Sequence, residues 1–367
     1  MNWRERWIGW RNRRLASPAF QHWATSFPPT RGVARRSGRE LFDVVAGFVY
    51  SQTLAAFVEL ELPALLAGGA CEVDWLAERI ALSSEAALTL LHAATSLGLA
   101  ERVGERFALG RHGAALLGNP GVAEMVRHHR LLYADLADPV ALLRRGGGGG
   151  QLAALWAYAA GGAAPAAAAV ADYSALMAAS QPLVARQVLD AYPLARRRRL
   201  MDVGGGEGAF LIAAAARAPG LELVLFDLPA VAERARARFA AAGLEERVTA
   251  IGGNFLDGPL PGGADTVSLV RVLHDHDDGP AQALLAACRR ALPPRGVLLV
   301  AEPMADTLGA EPMGVAYFGL YLIAMGSGRP RSAREIAAMC RAAGFARVTP
   351  VPTAMPLTTS VIIAHAE

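Results

Sequence analysis

From about residue 196 onward, short apolar runs alternate with longer segments of helical periodicity. Leu200–Val203, Leu221–Phe226, Arg247–Ile251, Thr266–Val272 and Gly296–Ala301 have the length and largely continuous apolarity of strands buried on both faces. Between them, Ala209–Arg217, Ala230–Ala242 and Gly279–Ala291 read as helices. That alternation predicts an α/β fold with a parallel, doubly wound sheet. Phe345–Thr353 and Leu357–Ala364 then predict a closing antiparallel pair, which makes a seven-stranded, Rossmann-like domain over residues 196–367.

The first half reads differently. Val73–Ile80, a Ser83 N-cap and Glu85–Ser96 predict helix, turn and helix, and Leu97–Leu109 predicts a hairpin turning at Gly104-Glu105. That order is a winged helix, expected in a unit of residues 41–118. Residues 119–195 read as Ala-rich linking helices, broken by Gly146–Gly150 as a flexible tether or loop. Residues 1–40 form a basic arm in which Trp3, Trp7 and Trp10 share one helical face, with Arg4, Arg6, Arg11 and Arg13 largely elsewhere. Such a helix either rests on an anionic lipid surface or packs on a partner subunit.

Composition narrows the class. At 367 residues, 53% hydrophobic and 19% charged, the chain can bury two cores. All 36 basic residues are arginine, and the net charge is +3. Nine arginines against two glutamates place +7 in the first 40 residues and −4 in the remainder. Cys71, Cys288 and Cys340 have no paired spacing and read as reduced thiols, so no disulfide and no metal site are expected. Arginines interrupt the N-terminus too often for a signal peptide, and no uninterrupted apolar stretch has membrane-spanning length. The expectation is a cytoplasmic protein, with the arm as a peripheral contact to an inner membrane.

The candidate chemistry gathers where strands end. The first strand runs through Asp202 into Gly204-Gly-Gly206-Glu-Gly208, and the second ends on Asp227, 23 residues after Gly204. A glycine turn lets a ligand approach the backbone, and a carboxylate at the next strand tip can hold ribose hydroxyls. The residues therefore ask for an adenosine-type cofactor. Their G-x-G-x-G spacing departs from the dinucleotide fingerprint, and Asp202 favours a cationic cofactor over a pyrophosphate. S-adenosylmethionine, with a sulfonium and an amino group, fits. Strand four delivers His274-Asp-His-Asp-Asp278, and strand five delivers Glu302. A histidine and a carboxylate on neighbouring strand tips are the arrangement of an oriented general base. A solvated loop histidine, or a metal site at His274 and His276, is the competing reading.

Taken together, Asp-Val-Gly-Gly-Gly-x-Gly, Phe-Asp-Leu-Pro, Gly253-Asn-Phe255, Arg-Val-Leu-His-Asp and Ala-Glu-Pro resemble the S-adenosylmethionine-dependent O-methyltransferases of the plant caffeate and animal acetylserotonin type. Trp7–Arg13, Leu15–Phe20 and Leu41–Gln52 resemble the carotenoid O-methyltransferases of purple phototrophic bacteria. The resemblance implies a homodimer with a winged-helix dimerisation domain, acting on a lipophilic acyclic hydroxycarotenoid of the hydroxyneurosporene or demethylspheroidene type. It implies that Gly204 and Gly206 lie against the methionyl part of the cofactor, with Asp202 and Arg271 also on its binding side. Asp227 would bind the ribose, Leu228 would lie beside the adenine, and Asn254 and Phe255 would hold the adenine edge and face. The family usually has Asp where Asn254 stands. His274 would accept the proton and Glu302 would orient it. The second acid of some plant members is absent near Gly328-Arg-Pro-Arg331, where Pro330 stands.

Two stripes are open between core and ligand wall. Tyr173, Met177 and Gln181 share a helix face, and the apolar helix Met313–Met325 carries Phe318, Tyr321 and Met325. The first reads as core or as cofactor and substrate lining. The second reads as core, dimer contact or wall for a long apolar substrate.

Rival functions fare less well. A winged helix suggests a DNA-binding regulator, yet the candidate recognition helix Ser84–Thr95 has no arginine, so no nucleic-acid partner is expected. Glycine spacing and Asp202 disfavour a nicotinamide oxidoreductase. A methyltransferase of a small phenolic, or a carbon methylase of a bacteriochlorophyll precursor, would share the same catalytic motifs.

Overall fold

The computed structural model describes residues 2–159 and 180–367. Contacts divide the chain into two compact units, residues 1–118 and 119–367.

The first unit is helical. It comprises α1 (Trp3–Leu15), α2 (Pro18–Ser26), α3 (Pro28–Glu59), α4 (Leu62–Leu66), α5 (Val73–Arg79), α6 (Ser84–Ser96), a hairpin β1 (Ala100–Val103) and β2 (Arg106–Leu109), and α7 (Arg111–Leu117). Local chemistry starts these helices. Asn2 and Glu5 form a capping box on α1, Ser17 caps α2, and the Ser83 hydroxyl accepts from the Ala86 amide to cap α6. Phe57, Leu62, Leu66, Leu76, Leu91 and Phe107 are buried together as its core. No residue of α1 is buried, and α3 leaves Leu41, Phe42, Val45 and Phe48 exposed. Among the described residues, α3 is long and apolar enough, by length and composition, to cross a bilayer. This differs from the expectation of no stretch of membrane-spanning length, which counted only uninterrupted apolar runs: Asp43 interrupts the run within α3. A helical average tolerates the single charge.

The second unit begins with α8 (Pro120–Asp135), α9 (Pro139–Arg144), α10 (Gln151–Ala159) and α11 (residues 180–191). Then come β3 (Arg199–Val203), α12 (Ala209–Arg217), β4 (Glu222–Asp227), α13 (Pro229–Ala241), β5 (Val248–Gly252), β6 (Thr266–Val270), α14 (Asp278–Ala291) and β7 (Val297–Glu302). α15 (Phe318–Met325), α16 (Ala333–Ala342), β8 (Arg347–Val351) and β9 (Ser360–His365) complete it. The seven strands run in the order β5-β4-β3-β6-β7-β9-β8. All neighbours are parallel except β9, which is antiparallel to β7 and β8. Apolar clusters cover both faces, as the continuous apolarity of the strands required. Strand order reverses between β3 and β6, and at such a switch point the crevice beyond the carboxyl ends accepts a ligand.

Three expectations are corrected. Strand β6 stops at Val270 rather than Val272. Arg271 turns left-handed at φ +58°, and the amides of Val272 and Leu273 leave the ladder for the Glu302 carboxylate, at 3.0 and 2.7 Å. The apolar helix expected over Met313–Met325 opens with a π-helical segment, Pro312–Tyr317, before α15. There Gly314 lies so close to the 304–305 backbone that an added Cβ would meet the Met304 oxygen at 2.8 Å. Gly146–Gly150 is a packed turn instead of a flexible tether. Gly146 to Gly149 all have positive φ, the Gly148 amide donates to the Ile323 carbonyl at 2.9 Å, and Asp135 caps α10 through the Gln151 and Leu152 amides. A run of glycines was needed because each residue takes a left-handed backbone.

Gly146 (φ +81°) has open space around it, whereas a Cβ on Gly147 (φ +98°) would sit 2.5 Å from the Ile323 oxygen. Gly146→Ala should cost about 1–2 kcal/mol for its backbone alone. Gly147→Ala should cost clearly more, read as the difference in urea midpoints. Equal midpoints would mean the turn is not docked on α15.

Candidate active site

The first half of the site is built by β3, β4 and β5. At the end of β3 the chain turns through Gly204, Gly206 and Gly208, all at positive φ, and enters α12. Asp227, the last residue of β4, ties this turn to the next loop. One of its oxygens accepts the Gly206 amide and the other accepts the Leu228 amide, both at 2.7 Å. Each oxygen keeps a lone pair, so the carboxylate can still accept two neighbouring hydroxyls. Burial raises the Asp227 pKa, and its two backbone bonds pull the other way. Beyond β5, the Asn254 side-chain oxygen accepts the Leu256 amide at 3.0 Å, which uses one acceptor site of the expected adenine contact and leaves one. The Phe255 ring meets His276 edge-on, with centroids 5.2 Å apart.

Asp202 stands apart from the other expected cofactor residues. It is fully buried within β3. Ser268 donates to one oxygen at 2.6 Å, and the other has no hydrogen-bond partner among the described residues. Burial pushes its pKa up to about 7. The turn folds over it so closely that a Cβ on Gly205 would meet that oxygen at 2.3 Å. Asp202 therefore supports the shape of the turn from below.

The second half lies at the tips of β6 and β7. Glu302 is buried. One oxygen accepts the Val272 and Leu273 amides, and the other pairs with Nδ1 of His274. A 3₁₀ turn, Leu273–Asp275, holds the imidazole. Its Nε2 lies 3.1 Å from an Asp275 oxygen. Burial lowers the His274 pKa, but Asp275 and Glu302 together outweigh burial and the net shift is upward. Burial lifts Asp275 to about 6, against the pull of His274. Arg271, strained at φ +58°, donates to the Ser180 hydroxyl at 3.4 Å.

An aromatic wall faces His274. The Phe318 ring packs edge-on against His274, with centroids 6.0 Å apart. Tyr321 bonds His128 and Tyr317 bonds His129, each at 2.8 Å, so two His–Tyr pairs staple α15 and its π-helical lead to α8. Met325 is buried and packs the inner end of α15. Tyr173 and Met177 lie outside the described residues. Sequence reasoning missed Asp275, Tyr317 and both α8 histidines. Asp275 stood in the quoted His-Asp run, but only the 3₁₀ turn brings it to the imidazole. His128-His129 was visible as a pair without a partner in sequence.

Among the described residues, no group of three His, Cys, Asp or Glu side chains is arranged to hold a metal ion. The donors present fit a nucleoside cofactor: a glycine turn at a helix start, a half-buried carboxylate with spare lone pairs and a buried carboxyl group below. Beside them stands a histidine clamped by a carboxylate, the requirement for taking a proton from a hydroxyl.

Comparison with known proteins agrees. Residues 133–346 match the model of the O-methyltransferase domain family. The chain is 46% identical over 355 residues to demethylspheroidene O-methyltransferase of Cereibacter sphaeroides, covering 96% of this chain and 93% of that protein. It is 44% identical over 340 residues to the enzyme of the same name from Rhodobacter capsulatus, covering 92% and 84%. Human N-acetylserotonin methyltransferase, solved in complex with SAM, superposes with a TM-score of 0.71 at 26% identity, covering 90% of this chain and 97% of that one.

The Asp202 pKa rises from 3.8 to about 7 on folding. Between those values the folded state holds a proton that the unfolded chain has released, so this group contributes stability at low pH that is lost as pH rises to neutrality. Asp202→Asn should remove that loss. Denaturation from pH 4 to 7 should show the wild type falling relative to the variant, and parallel curves would refute the buried, high-pKa carboxylate.

Proposed function

The chain belongs to the O-methyltransferase domain family, and on that premise we propose that it methylates the hydroxyl of an acyclic hydroxycarotenoid, with His274 as the general base. That it is an S-adenosylmethionine-dependent O-methyltransferase follows from the family. The carotenoid substrate is supported by the two relatives named for demethylspheroidene and by the apolar wall of α15, where only tyrosine tips are polar. The observation that carries the mechanism is the contact between His274 and Glu302 on adjacent strand tips.

When bound, S-adenosylmethionine supplies an activated methyl group. The residues of the chain hold and orient. Asp227 accepts the ribose hydroxyls while keeping the Gly206 and Leu228 amides in place. Glu302 fixes the His274 ring so that Nδ1 carries the proton and Nε2 faces outward. In the resting site Asp275 occupies that face, and its carboxylate must yield Nε2 to the substrate hydroxyl. Because an alcohol is a weak acid, Nε2 takes the proton late, as the ether bond forms. Phe318 and its neighbours exclude water and align the hydroxyl, which is where most of the acceleration arises.

A hydroxycarotenoid is nearly insoluble in water, and the arm suits a lipid surface. Trp7 and Trp10 stack at 5.0 Å on the exposed α1, beside Arg4, Arg6, Arg11, Arg13 and Arg14. Each such arginine near an anionic leaflet is worth on the order of 1 kcal/mol. The exposed apolar face of α3 would be covered by a second copy in a homodimer.

Two substitutions separate the roles. Asp227→Ala should weaken cofactor binding by about 1–3 kcal/mol, read by calorimetry. His274→Ala should leave that affinity intact and lower turnover roughly 10²–10⁴-fold. Full turnover in the histidine variant would remove the base.

Deleting residues 1–14 should weaken liposome association and slow turnover on bilayer-embedded carotenoid, while sparing turnover on detergent-dispersed substrate. If the arm instead holds the dimer, sedimentation will show monomer and both assays will fall together.

A further inference from the structure

The loop between α15 and α16 runs Ser327-Gly-Arg-Pro-Arg331, and it answers the His274 turn carbonyl by carbonyl. Arg331 Nη1 donates to the Leu273 oxygen at 2.8 Å, and Nη2 donates to the His276 oxygen at 2.8 Å. Between these, the Arg329 amide donates to the His274 oxygen at 3.0 Å, and the Ser327 hydroxyl donates to the Asp275 oxygen at 2.9 Å. All four successive carbonyls are held by one short segment. Gly328 allows the approach: it is left-handed at φ +81°, and a Cβ there would fall 2.1 Å from the His274 oxygen.

Arg331 is the centre of this contact. It is 2% exposed, an expensive place for a guanidinium unless its donors are used. Asp278 supplies the countercharge, accepting Nη2 at 2.7 Å and Nε at 3.2 Å. A planar fork with fixed donor directions can span two carbonyls in a way that a single ammonium cannot. The turn needs such support. It is one 3₁₀ turn, too short to hold itself, and it follows directly on the strained Arg271.

We propose that Arg331 is the positioning residue for His274, and that the 327–331 segment is the template against which the base-bearing turn is set. The proposal rests on His274 being the base. It also places substrate wall and base on one continuous frame, since the template follows α15, whose Phe318 abuts the imidazole. The charged and titratable groups facing that ring are Glu302, Asp275, Arg271 and His276. Arg331 is not among them and acts through the backbone.

Arg331→Met, Arg331→Lys and Ser327→Ala test this in the full-length enzyme, with kcat, KM, cofactor affinity and the pH profile as readouts. Arg331→Met should lower kcat roughly ten- to a hundredfold, the scale of a small misplacement, with cofactor affinity unchanged. The acid limb should move to lower pH, because a relaxed turn loosens His274 from the two carboxylates that raise its pKa. Arg331→Lys should recover part of the rate. Ser327→Ala should show the same shift in smaller measure, and it decides the matter if Arg331→Met does not fold. Wild-type kcat and an unmoved acid limb in the folded variants would overturn the proposal, as would a rate loss without a pH shift. If His274→Ala is inactive and the Arg331 variants are normal, only the positioning role falls. If His274→Ala is active, the base reading falls and takes this proposal with it.

Discussion

The Glu302 carboxylate is the contact on which the rest of the site depends. Its two oxygens take three donors: the amides of Val272 and Leu273 and the Nδ1 of His274. A buried carboxylate is tolerable only when so satisfied. By drawing two amides out of the β6 ladder it ends that strand early, makes the 3₁₀ turn and presents the imidazole. Without it, two buried N–H groups would lose their partners together with the ring.

The same device recurs across the switch point. Asp227 at the tip of β4 binds the amides of the glycine turn and of Leu228, as Glu302 at the tip of β7 binds those beyond β6. Both carboxylates use part of their acceptor capacity for the fold; Asp227 keeps a lone pair on each oxygen, and Glu302 spends its second oxygen on His274. Asp202, deeper in β3, differs because it is wholly enclosed. It supports the shape of the turn, and its upward pKa marks the cost of a buried carboxylate with one oxygen unanswered.

On the other side of His274, mixed polar and aromatic contacts tie the elements together. The His128–Tyr321 and His129–Tyr317 pairs hold the apolar wall to α8, and the Gly146–Gly149 turn docks on the far end of α15. The Ser327–Arg331 segment then returns to the turn that carries His274. The aromatic wall and His274 are thus parts of one frame.

Much of this was legible in the chain alone. Apolar runs of strand length, alternating with helices, call for a parallel sheet because helices packed on it bury both strand faces. Residues carried at strand tips, such as Asp227, His274 and Glu302, could be placed because a parallel sheet delivers every carboxyl end to one edge. What the sequence could not show depends on approach between distant segments. Asp275 reaches the imidazole only through a left-handed Arg271 and a turn pulled out by Glu302. The packed glycine run and the Arg331 fork answer backbone groups more than 50 or 100 residues away, and Tyr317 on the π-helical lead to α15 meets a histidine on α8. Periodicity reports which face a residue shares with its near neighbours. Which distant carbonyl needs a donor is decided only when the sheet, its tips and the connecting loops are brought together.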